Sequence, residues 1–382
     1  MTDRRAGFLA HLGRIALAAM VVLACDVTHG QALKPVTVVS GLSHPWGLAF
    51  LPGFDNEGRM LVTERDGRVR LVNTRGDVGP PVGGVPEVDA RGQGGLLDVV
   101  LDPKFSENRW IYFSYSEPAG RGTNSTAVAR ARLEANGLQG QLLDVQVIFR
   151  QAPRFPSTAH FGSRLVFARD GRMFITLGDR FSRRDDAQML DNHHGKVVRI
   201  EADGRVPADN PFVKRAGALP EIWSLGHRNV QGAALHPHSG ELWTHEHGPQ
   251  GGDEVNVTEA GRNYGWPVIT YGAEYVTGRT IGEGTAKPGM EQPLVHWIPS
   301  IAPSGMAFLT SDRYPGWKGD LFVGALRGQL LVRLQLDGRR VVKQERLLQD
   351  YNQRIRDVRQ GPDGYLYLLT DAGDGRIVRL ER

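Results

Sequence analysis

The chain has 382 residues, of which 48 are Gly and 22 are Pro. This Gly content is too high for an α-rich protein, and the composition lacks the bias of a disordered one. The 46 basic and 42 acidic residues leave a formal charge of +4 without a long basic run, which argues against a nucleic-acid surface.

The first 32 residues have the pattern of an export signal. A few Arg residues precede the apolar run IALAAMVVLAC, which is too short to span a membrane and is typical of a signal peptide. Cleavage after GQA would release residues 33–382, whereas the variant lipobox VLAC would make Cys25 a lipidated first residue. We therefore expect a periplasmic or otherwise exported protein that contacts a membrane only through a lipid at Cys25.

The rest of the chain repeats one unit, in which a small residue precedes two alternating apolar strands joined by an Asp-, Pro- or Gly-rich turn. The units start at Gly47, Gly95, Gly162, Gly232, Gly305 and near Asp357. Their spacing is typical of propeller blades. The sequence therefore predicts an all-β, six-bladed β-propeller over residues 33–382, with a β-sandwich or two smaller β domains as the alternative.

The third unit holds candidate catalytic residues. His160 precedes one apolar strand, Asp179 follows the next, and Asp170-Gly171 supplies the turn between them. Because the two ends of a hairpin lie together, these side chains can meet, and a carboxylate bonded to one imidazole nitrogen makes the other a general base. A surface histidine at the start of a loop remains the alternative from these two residues alone.

Arginines occupy equivalent positions in the later units. Arg228, followed by Asn229, enters the fourth unit, Arg327 lies on the return hairpin of the fifth, and Arg354 and Arg356 begin the sixth. Each could by itself be solvated or ion-paired. Together they predict a cavity for a polyanionic ligand, because a guanidinium group binds carboxylates through a rigid bidentate fork. Phosphate is possible as well, although the chain has no P-loop.

The segment EHGPQGGDEVNVTEAGRNYGWP, at residues 246–267, is a candidate cation site. Its Gly-Pro backbone exposes carbonyl groups, and Asp253 and Glu254 add carboxylates, which are the hard oxygen ligands that suit Ca²⁺. An acidic turn without a metal is the alternative. The adjacent His193 and His194 would face opposite ways on a strand, so we treat them as structural.

In order along the chain, GQGGLLDVVLDPKF, the hairpin of residues 157–180, DNPF, LGHRNVQG, EHGPQGGDEVN, RNYGWP and RIRDV…PDGYLYLLTD resemble the PQQ-dependent soluble glucose dehydrogenase family, and in particular its periplasmic aldose sugar dehydrogenase branch. The resemblance extends over about residues 36–380. It implies a propeller that holds pyrroloquinoline quinone (PQQ) and Ca²⁺ at its mouth. The implied reaction is oxidation of the C1 hydroxyl of an aldose to a lactone.

The resemblance also implies residue roles. His160 matches the catalytic base, Asp179 its orienting carboxylate, and Arg228 a catalytic residue near the reactive carbonyl of the quinone. The cofactor-binding positions that match are Gln93, Arg228, Asn229, Tyr275, Ser300, Arg327, Arg354 and Arg356. The calcium-binding positions that match are Gly248 and Pro249, through their carbonyl groups, together with Glu254 and the carbonyl of Tyr264.

Two departures from the family pattern concern specificity. Ala159 stands where glucose dehydrogenases carry Asp, and the loops around the mouth are shorter and different, so glucose need not be the preferred aldose. Separately, Arg327 stands where they carry Lys, which keeps the charge but changes the geometry of contact. The sequence leaves open the electron acceptor and whether the protein is a monomer or a homodimer. A calcium-dependent propeller lactonase or hydrolase and a non-catalytic sugar-binding propeller are the alternative functions.

Overall fold

The computed structural model describes residues 33–382. The expected signal peptide, including Cys25, lies outside these residues. Within them, no helix has the length and apolar character needed to cross a membrane.

Residues 33–382 form six four-stranded antiparallel sheets, the blades of a β-propeller. Blade 1 comprises β2 (Pro45–Phe50), β3 (Met60–Glu64), β4 (Arg68–Val72) and β5 (Val78–Pro81); blade 2 comprises β6 (Leu96–Leu101), β7 (Trp110–Pro118), β8 (Asn124–Asn136) and β9 (Gln139–Arg150). Blade 3 comprises β10 (Leu165–Phe167), β11 (Met173–Thr176), β12 (Lys196–Ile200) and β13 (Ile222–Leu225); blade 4 comprises β14 (Val230–Leu235), β15 (Leu242–Glu246), β16 (Asp253–Val257) and β17 (Val295–Trp297). Blade 5 comprises β18 (Pro303–Phe308), β19 (Leu321–Ala325), β20 (Leu331–Asp337) and β21 (Arg340–Leu347); blade 6 comprises β22 (Ile355–Gln360), β23 (Leu366–Thr370), β24 (Gly375–Glu381) and β1 (Lys34–Leu42).

Blade 6 joins the two ends of the described chain. Its outermost strand is β1, which pairs antiparallel with β24, for example Lys34 with Glu381. This pairing closes the ring with backbone hydrogen bonds, so neither end of the described chain is left as an unpaired strand. The predicted six-bladed propeller is confirmed, although the repeat pattern does not reveal this closure.

The first strands of the blades lie at the centre of the ring. Strand β2 packs against β6 and β22, and β18 packs against β14 and β22. These inner strands begin close to the small residues that open the sequence repeats. Gly47, for example, lies within β2, where an added Cβ would approach the backbone nitrogen of Val99 to 2.9 Å. Glycine is therefore required there by the close approach of the next blade.

Apolar side chains fill the space between neighbouring blades. Between blades 1 and 2, Leu61 and Leu71 pack with Val99 and Phe113, and all four are fully buried. Comparable clusters lie between the other neighbouring blades. Because each blade is covered by its neighbours, the ring gives the loops at its mouth a rigid support.

Short helices lie in the connections between strands. They are the α-helices α1 (Phe54–Glu57) and α2 (Phe105–Asn108) and the 3₁₀ helices Gly120–Gly122, Arg184–Gln188 and Gln349–Tyr351. The second of these 3₁₀ helices follows Asp179 directly in the chain and contributes to the surroundings of the site described next.

Candidate active site

The hairpin of blade 3 brings His160 and Asp179 together. Strands β10 and β11 pair in register around a turn at Gly171, and the imidazole Nδ1 of His160 lies 2.6 Å from Oδ1 of Asp179. Gly178 makes this approach possible, since a Cβ on it would come within 2.2 Å of the His160 carbonyl oxygen. The predicted meeting of the two ends of the hairpin is therefore confirmed.

The backbone around this pair is strained. His160 has a φ of 53°, and Arg180 and Phe181 have φ values of 60° and 67°, a region that residues other than glycine seldom adopt. The backbone N–H of Phe181 donates to Oδ1 of Asp179 at 2.8 Å, and the indole Nε1 of Trp266 donates to Oδ2 at 2.8 Å. Strain of this kind persists where surrounding contacts fix it, commonly at functional sites.

Asp179 is ionised and His160 is neutral at pH 7. Burial opposes the charge of Asp179, but His160, Arg228 and the Phe181 N–H outweigh it and hold the pKa of Asp179 below its ordinary value. Burial, reinforced by Arg228, lowers the pKa of His160, although Asp179 acts in the opposite direction. With Nδ1–H donated to Asp179, Nε2 of His160 has no hydrogen-bond partner within residues 33–382 and is free to accept a proton.

Arg228 approaches the pair from blade 4. Its carbonyl accepts a hydrogen bond from the Asp179 N–H at 2.8 Å. Its guanidinium group donates to the carbonyls of His247 (3.0 Å) and Gly248 (2.7 Å) and to the hydroxyl of Tyr275 (3.2 Å). The charge of Arg228 is thus fixed in place with neutral acceptors around it and remains available to an anionic ligand.

A cavity of about 270 Å³ lies beside these residues on the propeller axis, and all six blades contribute to its lining. Four of the predicted cofactor residues line it, namely Gln93, Asn229, Arg354 and Arg356. The side chains of two of them also support the hairpin that carries His160. The amide oxygen of Gln93 accepts from the His160 N–H at 2.9 Å, and that of Asn229 accepts from the Gly162 N–H at 3.1 Å.

Arg354 and Arg356 share one carboxylate that the sequence reasoning did not single out. Both donate to Oδ2 of Asp371, at 3.0 Å and 3.3 Å respectively. The Nε of Arg356 is buried without a partner, and burial lowers the pKa of this guanidinium to about 10. Two cations therefore share a single anion at the cavity wall, which leaves positive charge for a bound ligand.

Three predicted cofactor residues lie elsewhere at the mouth. Arg327 is exposed in the loop after β19 and makes no hydrogen bond or ion pair to the rest of residues 33–382, while its neighbour Leu326 lines the cavity. The hydroxyl of Ser300 donates to the carboxylate of Asp253 at 2.8 Å. The ring of Tyr275 is 47% exposed, and it is tied to the site through Arg228.

A second, much smaller cavity of about 10 Å³ adjoins the first, with Arg228 and His247 in its lining. Glu246, Gly248, Glu254 and Tyr264 also line it. Glu246 and Glu254 are directly opposite each other in the β15–β16 ladder, an unfavourable position for like charges. Burial and Glu246 raise the pKa of Glu254 to about 8.

The other residues of the predicted calcium loop differ in whether their oxygen atoms are free to bind a cation. Pro249 is buried beside Gly248, whereas the carboxylate of Asp253 is already saturated by Ser300 and by the backbone N–H groups of Gly248, Ile301 and Ala302. In residues 33–382 no three His, Cys, Asp or Glu side chains form a metal-binding group. A cation here would depend on backbone carbonyls and Glu254.

Sequence reasoning missed Trp46, His247, Trp266 and Asp371. Trp46 and His247 line the large cavity, and the guanidinium carbon of Arg356 lies 5.5 Å from the centroid of the Trp46 ring. Their position in the sequence could have indicated them, since Trp46 immediately precedes Gly47 of the first repeat and His247 immediately precedes Gly248. Neither position reveals which way the side chain points.

The chain matches the family model described as glucose / sorbosone dehydrogenase over residues 42–379. It is 48% identical to aldose sugar dehydrogenase YliI of Escherichia coli (strain K12) over 341 residues, which are 89% of this chain and 90% of that protein.

Two solved structures share the fold over nearly their whole length. The soluble aldose sugar dehydrogenase (Asd) of Escherichia coli in the apo-form is 45% identical with a TM-score of 0.88, covering 92% of this chain and 99% of that chain. The PQQ-bound form of aldose sugar dehydrogenase (Adh) from Streptomyces coelicolor is 30% identical with a TM-score of 0.75, covering 92% of this chain and 98% of that chain.

Proposed function

The chain belongs to the glucose / sorbosone dehydrogenase family, and on this premise we propose that it oxidises the C1 hydroxyl of aldose sugars to lactones, with PQQ as the electron acceptor. The observation that carries the proposal is the hydrogen bonding of the His160 imidazole. Its Nδ1–H is held by an ionised, buried carboxylate at 2.6 Å, and its Nε2 has no partner within the described residues. This is the arrangement of a general base.

The large cavity fits a planar polyanion. The buried, unpartnered Nε of Arg356 and the single carboxylate shared by Arg354 and Arg356 leave donors and charge for ligand carboxylates, and Trp46 offers a flat aromatic surface. When bound, PQQ supplies the redox chemistry by accepting the two electrons that leave the sugar carbon. Arg354 and Arg356 would hold its carboxylates, with Gln93, Asn229, Ser300, Arg327 and Tyr275 as further contacts.

The protein itself would bind, orient and move one proton. In this proposal the C1 hydroxyl of the sugar donates its proton to Nε2 of His160, and Asp179 stabilises the imidazolium that forms. Arg228 lies close enough to lower the pKa of His160, and its fixed charge would stabilise negative charge that develops opposite the base. General-base assistance of this kind contributes about 10²- to 10⁴-fold to the rate.

The small cavity fits one Ca²⁺ ion. Its volume of about 10 Å³ is near that of a single water, and a cation would relieve the opposition of Glu246 and Glu254 across the ladder. We propose the carbonyls of Gly248, Pro249 and Tyr264 and the carboxylate of Glu254 as its ligands. Because Gly248 also accepts from Arg228, an ion there would act beside the same guanidinium group.

The test is to titrate the purified mature protein with PQQ in the presence and absence of Ca²⁺ and to follow the oxidation of a panel of aldoses with an electron-accepting dye. We expect saturable PQQ binding, dye reduction that needs PQQ, and a C1 lactone or its aldonic acid as product. Glu254→Gln should remove the increase in melting temperature that Ca²⁺ causes in the PQQ-free protein. Glu107→Gln, in α2 of blade 2, is the matched control and should retain that increase.

Other results would redirect the proposal. Hydrolysis of sugar lactones without PQQ would favour a calcium-dependent lactonase, and sugar binding without turnover would favour a non-catalytic binding protein. Failure to bind PQQ with Ca²⁺ present would exclude the proposed reaction. The mass of the mature N-terminus would separately decide between cleavage before Leu33 and lipidation at Cys25.

A further inference from the structure

Trp266 contacts the proposed catalytic base indirectly, through the carboxylate of Asp179. Oδ1 of Asp179 accepts from His160 and from the Phe181 N–H, whereas Oδ2 accepts from the indole Nε1 of Trp266 at 2.8 Å. Asp179 is 0% exposed, so water does not replace a missing donor without rearrangement. Within residues 33–382, the indole is the hydrogen-bond donor to Oδ2.

Trp266 is itself held firmly. Its backbone N–H donates to the Gly226 carbonyl at 2.9 Å, and its carbonyl accepts from Nε2 of Gln188 at 2.7 Å. Its ring packs against Ala187 and Ile281. Backbone hydrogen bonds and ring packing therefore hold the indole in one position, and its N–H has a defined direction.

The same indole also faces Arg228, the cation with the larger effect on the pKa of His160. The guanidinium carbon of Arg228 lies 5.4 Å from the centroid of the Trp266 ring, within the range of a cation–π contact. One side chain thus touches both the carboxylate that orients the base and the arginine opposite it. Neither contact is visible from the sequence, because Trp266 is 87 residues from Asp179.

We propose that Trp266 is a positioning residue that fixes the orientation of Asp179 and thereby sets the proton affinity of His160. A carboxylate that loses one buried donor is held less firmly, and it attracts its remaining donors, the His160 Nδ1–H and the Phe181 N–H, more strongly. Removing the indole N–H should therefore loosen the geometry of the base and raise its proton affinity. The expected effect on turnover rests on the proposed function. The effect of Trp266 on the proton affinity of His160 can be measured in the cofactor-free protein.

Four charged or titratable groups face His160. Arg228 and Arg180 disfavour its protonated form and Asp179 favours it. His247, which lines both cavities, interacts with it as well. Trp266 contacts two of the four, Asp179 and Arg228, so a change at this position acts on an anion and a cation beside His160 together.

The experiment compares Trp266→Phe with the matched variant Trp223→Phe. Trp223 also donates its indole N–H, to the Thr258 carbonyl at 3.3 Å, and it packs against Phe174 away from the cavity. Replacement of Trp266 by benzothienylalanine, in which sulfur stands in place of the N–H, removes only the donor. It decides the outcome if the Phe variant does not fold.

The first measurement needs no cofactor. In ¹⁵N-histidine-labelled protein, assigned with His160→Ala, we expect the His160 Nδ1–H resonance to move downfield and the imidazole titration midpoint to rise by about half a pH unit or more in both position-266 variants. Trp223→Phe should leave both values at those of the wild type. Equal shifts in all three variants, or none at position 266 in folded protein, would overturn the proposal.

The second measurement uses PQQ-loaded protein. We expect kcat to fall about tenfold or more in the position-266 variants with a smaller change in KM, and the acidic limb of the kcat/KM profile to move to higher pH. A lower kcat without a shift of the acidic limb would show that Trp266 has only a structural role, which would contradict the proposal. If the protein oxidises no sugar, the NMR shifts still decide the coupling, so failure of the proposed function is distinguished from failure of this inference.

Discussion

Blades 3 and 4 each carry a histidine that bonds through Nδ1 to a carboxylate 19 residues further along the chain. His160 meets Asp179 at 2.6 Å in blade 3, and His227 meets Glu246 at 2.9 Å in blade 4. In both blades the histidine precedes the inner strand and the carboxylate lies at the end of the second strand or just beyond it. By spacing alone, the two pairs are equivalent.

They differ at the other imidazole nitrogen. Nε2 of His227 is bonded to the Ser224 hydroxyl at 2.8 Å, and its ring stacks on Tyr264 at 4.7 Å between centroids. Nε2 of His160 has no hydrogen-bond partner among the described residues, and its neighbours Gln93 and Phe161 line the large cavity. A pair whose hydrogen bonds are complete stabilises the fold, whereas one with a free nitrogen beside a cavity can accept a proton.

The largest expected difference between the pairs is in activity. His160→Ala should lower kcat/KM for aldose oxidation by about 10²- to 10⁴-fold, because the general base is lost. His227→Ala should reduce it much less in protein that remains folded. Dye-linked assays with saturating PQQ measure both, and a His160→Ala enzyme within about threefold of the wild type would remove the functional distinction.

If the large cavity beside His160 holds PQQ, the arginines around it should contribute to the affinity for PQQ. Arg356→Gln should weaken PQQ binding by about 10- to 100-fold, because it removes a buried, charge-assisted donor. Arg327→Gln should have a smaller effect, since an exposed guanidinium is screened by solvent. Fluorescence titration with PQQ measures both constants, and equal losses would contradict the distinction between the two positions.

Stability should show the reverse order of the two histidines. His227→Ala leaves Oε1 of Glu246 and the Ser224 hydroxyl without their buried partner, and should lower the free energy of unfolding by about 1–3 kcal/mol. His160→Ala removes one hydrogen bond from Asp179, which keeps the Phe181 N–H and the Trp266 indole as donors, so its loss should be smaller. Urea unfolding of cofactor-free protein makes the comparison, and a larger loss in His160→Ala would contradict it.

The smallest expected effect is on pH dependence. Burial and Arg228 lower the pKa of His160 below its ordinary 6.5, so the unfolded chain binds a proton there before the folded protein does. Stability from this group is present above about pH 6.5 and is lost as the pH falls toward the folded pKa. The acidic limb of kcat/KM should therefore lie below pH 6.5, and His160→Gln should flatten the stability profile below that pH. An acidic limb above pH 6.5 would contradict the assignment.

Much of the fold was predictable because its signals are local. Alternating apolar residues and the small residues at Gly47 and Gly232 mark inner strands, and each hairpin needs contacts only a few residues apart. Residues 180–222 carry no clear alternation, yet they contain β12 (Lys196–Ile200) and the first residue of β13 (Ile222–Leu225). These strands are short and lie between Gly- and Pro-rich loops, so their periodicity is weak.

The site was predictable to a smaller extent. The hairpin alone implies the meeting of His160 and Asp179, the equivalent positions of the arginines imply a cavity for an anion, and the family resemblance adds their individual roles. Asp371, Trp46 and Trp266 were missed because their contacts to Arg356 and Asp179 depend on how side chains are oriented in the folded ring, which the sequence does not show. The indole N–H of Trp266, for example, reaches Asp179 through folding of loops that carry no periodic signal.

The sequence by itself determined six antiparallel blades and the proximity of a histidine and a carboxylate at one end of a hairpin, because period-two alternation and turn residues act over short distances. The tertiary structure decided that β1 closes the ring on β24, that Arg354 and Arg356 share Asp371, and that His160 keeps a free nitrogen while His227 does not. Those outcomes depend on which groups the folded ring brings within hydrogen-bonding distance, and the packing of the blades around a common axis fixes that choice.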